Sequence, residues 1–315
     1  MASIAVTVPA AHVKPALTAR KRKPNGQVIC PICRETPLPL YKIERFSPQL
    51  NILRCPSCAL QMQASLPPRL EDLYTEGYYS GNAGYTYKDE RKQERFERYV
   101  WKARLERIRE FVPAPADFLD IGCAYGGLAL EAASMGYSAQ GLDISEHAVQ
   151  EARKRGLKAK QGRLTDELFG PRSIDIATMI EVIEHLEQPR ESVAALSRMI
   201  RPGGLLVIQT ANFNGQQARQ GGSDYHYYLP GHLFYFSKSN LTRLLKENGF
   251  SRVLFYPGVE FGLLPKLLKS RGSFQRPGDY AKWLRISWYH AMSKLALGNF
   301  AMTSAMVLYA FRDSD

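Results

Sequence analysis

Two apolar runs that each end on an aspartate, joined through a glycine turn, decide most of what this chain can become. Phe118-Leu-Asp-Ile-Gly-Cys-Ala-Tyr-Gly-Gly-Leu is followed about twenty residues later by Gly141-Leu-Asp-Ile-Ser, the separation expected of a strand–turn–helix–strand unit. The first run reads as a buried strand ending at Asp120, and the second as a strand ending at Asp143. Gly122 and Gly126 let the backbone turn tightly and approach a ligand with no Cβ in the way. A carboxylate at the end of the second strand can bind both hydroxyls of a ribose. The unit is the layout of a site for a nucleoside-bearing cofactor.

The spacing chooses among such cofactors. A dinucleotide site wants G-x-G-x-x-G, with the pyrophosphate on the helix N-terminus. Here the run is Asp120-x-Gly122-x-x-x-Gly126-Gly127. A carboxylate ahead of the first glycine repels a pyrophosphate and suits a cationic, amino-acid-like ligand. At these residues the chain resembles the class I S-adenosylmethionine-dependent methyltransferases, whose first motif has the form L-D-I-G-C-G-x-G. Ala124 and Tyr125 depart from that pattern without removing the turn. The resemblance continues in order through residues 95–255: Ile174 to Leu186 as the fourth strand and its loop, Leu196 to Gly204 as a helix and turn, Leu205 to Thr210 as the fifth strand.

The resemblance implies a Rossmann-like α/β fold, with a seven-stranded sheet, strand seven antiparallel and helices on both faces. It implies that Asp120, Gly122 and Gly126 hold the methionine part of the cofactor, with Cys123 packed compactly beside it. Asp143 would take the ribose hydroxyls and Ile144 would pack on the adenine. Many members place an acid after strand three to receive the adenine amino group. Arg163 and Leu164 stand there instead, so backbone groups would read the adenine, with Asp166 a weaker candidate.

Four of the five cysteines form two pairs, Cys30-Pro-Ile-Cys33 and Cys55-Pro-Ser-Cys58. Each C-x-x-C turn aims two thiolates at one centre, and two such turns complete a closed tetrahedral Zn²⁺ site of the structural kind. Leu40 to Glu44 and Asn51 to Arg54 read as short strands of a zinc ribbon. A redox dithiol is the alternative, weakened because the pairs precede the α/β unit.

The organisation expected is a basic tail over 1–26, the ribbon over 27–66, and a tyrosine-rich linker with an amphipathic helix over 67–112. The methyltransferase-like domain follows over 113–315, with a helical insertion at about 258–303. The tail carries Arg20-Lys-Arg-Lys23 and no acid. Tyr74, Tyr78, Tyr79, Tyr85 and Tyr87 of the linker are candidates to roof the site. The helix, read over Asp89 to Val112, turns in Phe96, Val100, Ala103, Ile108 and Phe111. The ribbon, tyrosine-rich segment and methyltransferase order resembles a bacterial group associated with modifying sugars and secondary metabolites.

The reacting centre of this fold lies at the carboxyl ends of the strands. The loop after strand four holds Glu181-Val-Ile-Glu184-His185, whose carboxylates and imidazole share one face of a helical turn. His185 is a candidate general base for a hydroxyl nucleophile. Glu181, Glu184 and His185 are the alternative as ligands of a divalent cation that acidifies the hydroxyl, and the E-x-x-E-H pattern resembles that of quinone-biosynthesis O-methyltransferases. Glu181 is also placed to touch the cofactor. A second cluster, Asn212-Phe-Asn214, Asp224-Tyr-His226-Tyr-Tyr and Gly231-His232-Leu-Phe-Tyr-Phe, reads as a substrate pocket with His232 as the other candidate base.

The expected function is S-adenosylmethionine-dependent O-methylation of a small-molecule or saccharide metabolite, by in-line transfer to a hydroxyl deprotonated by histidine. A formal net charge of +12 keeps an RNA methyltransferase with a nucleic-acid-binding ribbon as the alternative. No Asn/Asp-Pro-Pro-Tyr motif for base methylation is present, which weighs against it. A non-enzymatic cofactor-binding partner protein is the third reading. No run of 18 apolar residues is found, and no secretory signal is read, so a cytoplasmic location is expected. The Trp and Lys/Arg content of the insertion permits a peripheral membrane contact.

Overall fold

The computed structural model describes residues 28–65, 74, 76–80, 89–165 and 168–314. The basic tail, Tyr85, Tyr87, Asp166 and the side chain of Tyr79 lie outside the described residues.

The described residues begin with three antiparallel strands, β1 (Leu38–Ile43), β2 (Leu50–Arg54) and β3 (Gln61–Gln63). A five-residue helix α1 (Glu76–Ser80) and a 3-10 turn lead into α2 (Glu94–Arg109). Then come β4 (Asp117–Ile121), α3 (Gly127–Ser134), β5 (Ser138–Asp143), α4 (Glu146–Lys154), β6 (Lys158–Gln161) and β7 (Ile174–Ile180). The order continues with α5 (Pro189–Met199), β8 (Ile200–Ala211), α6 (Gln216–Gly221), β9 (Phe234–Tyr235), α7 (Lys238–Lys246) and β10 (Arg252–Pro257). The C-terminal part holds α8 (Leu263–Ser270), α9 (Lys282–Ser293), the hairpin β11 (Ala296–Leu297) and β12 (Phe300–Ala301), and β13 (Ala305–Phe311).

The main sheet has seven strands in the order β10-β13-β8-β7-β4-β5-β6. The strands from β8 to β6 are parallel, and β13 runs antiparallel between β10 and β8. This is the expected sheet. Alternation along β8 divides the core in two. Leu205 and Val207 pack with Leu105 and Ile108 of α2 and with Leu128 of α3. Leu206 and Ile208 face the other way, toward Leu196 of α5 and Leu241 of α7. A strand buried on both faces needs such a continuous apolar run.

Three details differ from the sequence expectation. First, α2 buries Glu97 and Arg104 along with Leu105 and Ile108. It is clasped between α3 and α8, so charged positions turn inward and find ionic partners there. Second, the stretch expected as a helical insertion holds α8 and α9 but ends in the β11–β12 hairpin. Third, the ribbon sheet does not end with itself: β3 pairs with β9, making a four-stranded sheet β1-β2-β3-β9. Cys30, Ile32, Cys55, Leu60 and Met62 join the same apolar core as Leu233, Phe236 and Leu241.

Candidate active site

The chain leaves β4 toward β5 and β6, then crosses back to β7, so the cleft between the ends of β4 and β7 is the topological switch point where ligands bind. The glycine loop crosses it. Gly122 has φ +69° and hydrogen-bonds through its N–H to the Leu142 carbonyl at 2.7 Å. A Cβ there would sit 2.4 Å from Val182 Cγ2. Ala124 takes φ +47°, so the departure from glycine at that position is absorbed by a left-handed alanine. Tyr125 is fully buried beneath the Arg91 guanidinium, 3.8 Å from its ring centroid.

Asp143 closes this loop with both oxygens. Oδ2 accepts from the Ala124 N–H and Oδ1 from the Ser145 N–H, each at 2.9 Å. The carboxylate at the end of β5 therefore also organises the turn in front of it. Asp120 lies deeper, 5% exposed, with the Thr178 hydroxyl donating to it at 2.6 Å. Burial pushes its pKa up to about 7, against the opposing hydrogen bond. The first turn of α3, where a pyrophosphate would sit, is already taken: the Gly127 N–H donates to Glu90 Oε1 at 3.0 Å. That fits a cofactor with no pyrophosphate.

A cavity of about 600 Å³ opens in front of the loop. One wall is Gly122, Asp143, Ile144, Arg163 and Leu164; the other is Glu181, His185, Tyr74, Tyr227 and His232. Arg163 is ion-paired with Glu187 at 3.1 Å. Cys123, Asp120 and Gly126 stand behind the lining. Cys123 packs with Ala129, Val149 and Leu157, and burial raises its thiol pKa.

Glu181 follows β7 at φ +55°, a rare backbone state for a side chain of this size. Its Oε1 accepts from Gln209 Nε2 at 2.7 Å. Gln209 in turn accepts from Arg104, which donates to Glu260 at 2.5 Å. Glu181 is thus tied to a buried chain reaching α2. Glu184 is 3% exposed, and neither carboxyl oxygen has a hydrogen-bond partner of good geometry. Burial, then the neighbouring Glu181 charge, hold its pKa well above the carboxylate range.

His185 and His232 meet edge to face, ring centroids 4.7 Å apart. Nδ1 of His185 lies 2.8 Å from the Gly231 carbonyl, and Nδ1 of His232 lies 2.9 Å from the Tyr227 carbonyl. A carbonyl only accepts, so each Nδ1 carries the hydrogen and each lone pair is on Nε2. Burial lowers the His185 pKa to about 4 and that of His232 well below its ordinary value. Both are neutral imidazoles at pH 7. The Tyr74 hydroxyl lies 2.8 Å from His185 Nδ1.

Ligand atoms of Glu184, His185 and His232 lie within 4.8 Å of one another. The grouping differs from the sequence expectation, because Glu181 turns to Gln209 and His232 stands in its place. The second expected cluster also divides. Tyr227 and His232 line the cavity, but Phe213, Tyr225 and Tyr228 form a core with Ile43, Leu50 and Ile52 of the ribbon. Asn214 and Asp224 are absent from the lining, and His226 is exposed. Sequence reasoning missed Gln63, whose side-chain amide donates to the carbonyls of Leu229, Pro230 and His232 at 2.8–3.0 Å.

The four cysteines converge as the spacing requires. Sγ–Sγ distances are 3.1 Å for Cys33–Cys55, 3.5 Å for Cys30–Cys58 and 3.7 Å for Cys33–Cys58. The two knuckles repeat one hydrogen-bond pattern: Arg34 N–H to Cys30 O with Cys30 N–H to Glu35 O, and Ala59 N–H to Cys55 O with Cys55 N–H to Leu60 O. Arg34 and Ala59 both take positive φ. Four cysteine sulfurs this close could hold one metal ion, and the arrangement fits a zinc ribbon.

A family model described as "Methyltransferase domain" matches residues 93–254, just over half of the chain. The ubiquinone biosynthesis O-methyltransferase of Thiobacillus denitrificans is 33% identical over 105 residues, 31% of this chain and 45% of that protein. The protein of the same name from Saccharophagus degradans is 25% identical over 55% of this chain and 62% of its own length. The match thus spans less than two thirds of these relatives. Among solved structures, phosphoethanolamine N-methyltransferase 2 of Haemonchus contortus, bound to S-adenosyl-L-methionine, has a TM-score of 0.53 at 18% identity, covering 81% of this chain and 63% of that one. That likeness is one of fold.

Proposed function

From the premise that this chain belongs to the methyltransferase-domain family, we propose that it transfers the methyl group of S-adenosylmethionine to a hydroxyl of a small-molecule acceptor. The observation that carries the reading is the pair of neutral imidazoles on the wall of the cavity that the glycine loop and Asp143 open onto. The relatives named as O-methyltransferases support oxygen as the accepting atom.

Asp143, with Gly122 and Ile144, would hold the nucleoside, and Asp120 and Glu181 would favour the positive charge of the sulfonium and amino groups. S-adenosylmethionine supplies a methyl group on a sulfonium that is already a good leaving group. The protein's part is alignment and exclusion of water. Tyr74, Tyr78 and Leu229 close the cavity around the acceptor. His185 Nε2 accepts the hydroxyl proton as the oxygen attacks; Gly231 holds the ring through Nδ1. His232, the more buried ring, is the second candidate. Glu184, His185 and His232 are together suited to a divalent cation as the rival to a histidine base. The four ribbon thiolates would hold a structural Zn²⁺. An RNA acceptor gains no support from the relatives matched.

Methyl-labelled S-adenosylmethionine, incubated with the full chain and fractionated cell extract, tests the reading. Label is expected in hydroxylated small molecules. With the acceptor in hand, His185→Asn lowers kcat by about 10²-fold or more, and the acid limb of the native pH–rate profile lies near 4, not 6.5. Label confined to nuclease-sensitive RNA overturns the acceptor assignment. Full rates in both His185→Asn and His232→Asn overturn the base.

A further inference from the structure

The described residues show nine large hydrophobic side chains exposed, and seven of them fall between Leu264 and Phe300: Leu264, Tyr280, Leu284, Trp288, Leu295, Leu297 and Phe300. The concentration is not a failure of packing. α9 has a satisfied inner side, where Trp283 donates to the Ser270 hydroxyl at 2.9 Å and His290 and Ser293 are buried. Its outer side carries Leu284 and Trp288, four residues apart and so on one face, 77% and 69% exposed. A solvated helix face would carry polar residues at these positions. Beyond the helix, Leu297 and Phe300 flank the tight turn of the β11–β12 hairpin and are 84% and 36% exposed.

The charge around this surface has one sign. Residues 258–303 contain seven Lys and Arg and only two acids, Glu260 and Asp279. Glu260 is buried against Arg104, and Asp279 is paired with Lys282 at 2.8 Å. Arg271, Arg276, Arg285 and Lys294 remain exposed. A second copy of the chain would bring two such positive surfaces together. An anionic surface with an apolar interior satisfies both features. No helix among the described residues is long and apolar enough to cross a membrane, so the contact would be interfacial.

We propose that α9 and the β11–β12 hairpin form a docking surface for an anionic phospholipid bilayer, with Leu284, Trp288, Leu297 and Phe300 entering the acyl boundary and Arg276, Arg285 and Lys294 meeting the headgroups. This surface is separate from the residues assigned to methyl transfer.

Flotation of the full chain with vesicles tests it. The protein is expected to float with an equimolar mixture of phosphatidylglycerol and phosphatidylcholine, and not with phosphatidylcholine alone. Leu284→Glu combined with Trp288→Glu is expected to lower the vesicle-bound fraction by about ten-fold or more. Both side chains are exposed, so an unchanged melting temperature verifies the fold of the variant. Absence of flotation with the anionic vesicles overturns the proposal. So does undiminished flotation of the double variant, which would assign binding to other basic segments such as Arg20 to Lys23. A concentration-dependent dimer of the native chain that the double variant abolishes also overturns it, giving the patch to a second copy.

Discussion

His185 shows how burial changes the titration of an ordinary side chain. Its imidazole gains a proton at 6.5 when unfolded and only at about 4 in place. Between those values the unfolded chain binds the extra proton, so the stability His185 contributes is present above 6.5 and is lost as pH falls toward 4, up to about 3 kcal/mol. Asp120 acts in the opposite sense, since burial raises its pKa to about 7. Urea midpoints of the native chain and His185→Gln isolate the imidazole: the variant should lose less stability than the native chain between pH 7 and pH 5, and parallel curves would contradict the assignment. At this scale the sequence was legible where sterics alone dictate. Gly122 could be read because a loop at φ +69° against Val182 leaves no room for a side chain. Which of Asn212, Asp224 and His232 reaches the cavity could not be read, because aromatic and polar residues alternate alike in a pocket wall and in a core that seats a ribbon.

Among the elements, β3 and α2 link distant parts of the chain to the site. β3 pairs with β9, and Gln63 gathers three carbonyls of the loop that carries His232. The C-x-x-C spacing announced the convergence of the four cysteines, but nothing in it announced the strand on which the hairpin ends. If the ribbon positions that loop, Cys55→Ser or removal of Zn²⁺ by a chelator lowers kcat while S-adenosylhomocysteine affinity, which depends on the glycine loop, stays close to native. An unchanged kcat in metal-free protein would contradict it. In α2, Arg104 was not among the residues read as turned inward, because its partner, Glu260, lies far off in sequence. The pair is buried, with side chains 5% and 0% exposed. Glu260→Gln leaves the guanidinium without its counter-charge and should cost about 3–5 kcal/mol in urea unfolding. Joint replacement by Arg104→Met and Glu260→Leu should recover part of that loss.

Across the whole molecule, the seven-stranded sheet was implied by the family resemblance that the order of the motifs carried, while the long apolar runs of a parallel sheet buried on both faces marked its individual strands. Contacts between segments far apart in sequence, such as Gln63 with the His232 loop and Arg104 with Glu260, left no such signature. The central claim is that the cavity between β4 and β7 is a site for S-adenosylmethionine. Calorimetric titration of S-adenosylhomocysteine into the full chain and into Asp143→Ala tests it most directly. The account predicts saturable one-to-one binding, weakened about ten-fold or more when the Asp143 carboxylate is removed. No binding to the native chain, or equal affinity in the variant, would contradict it.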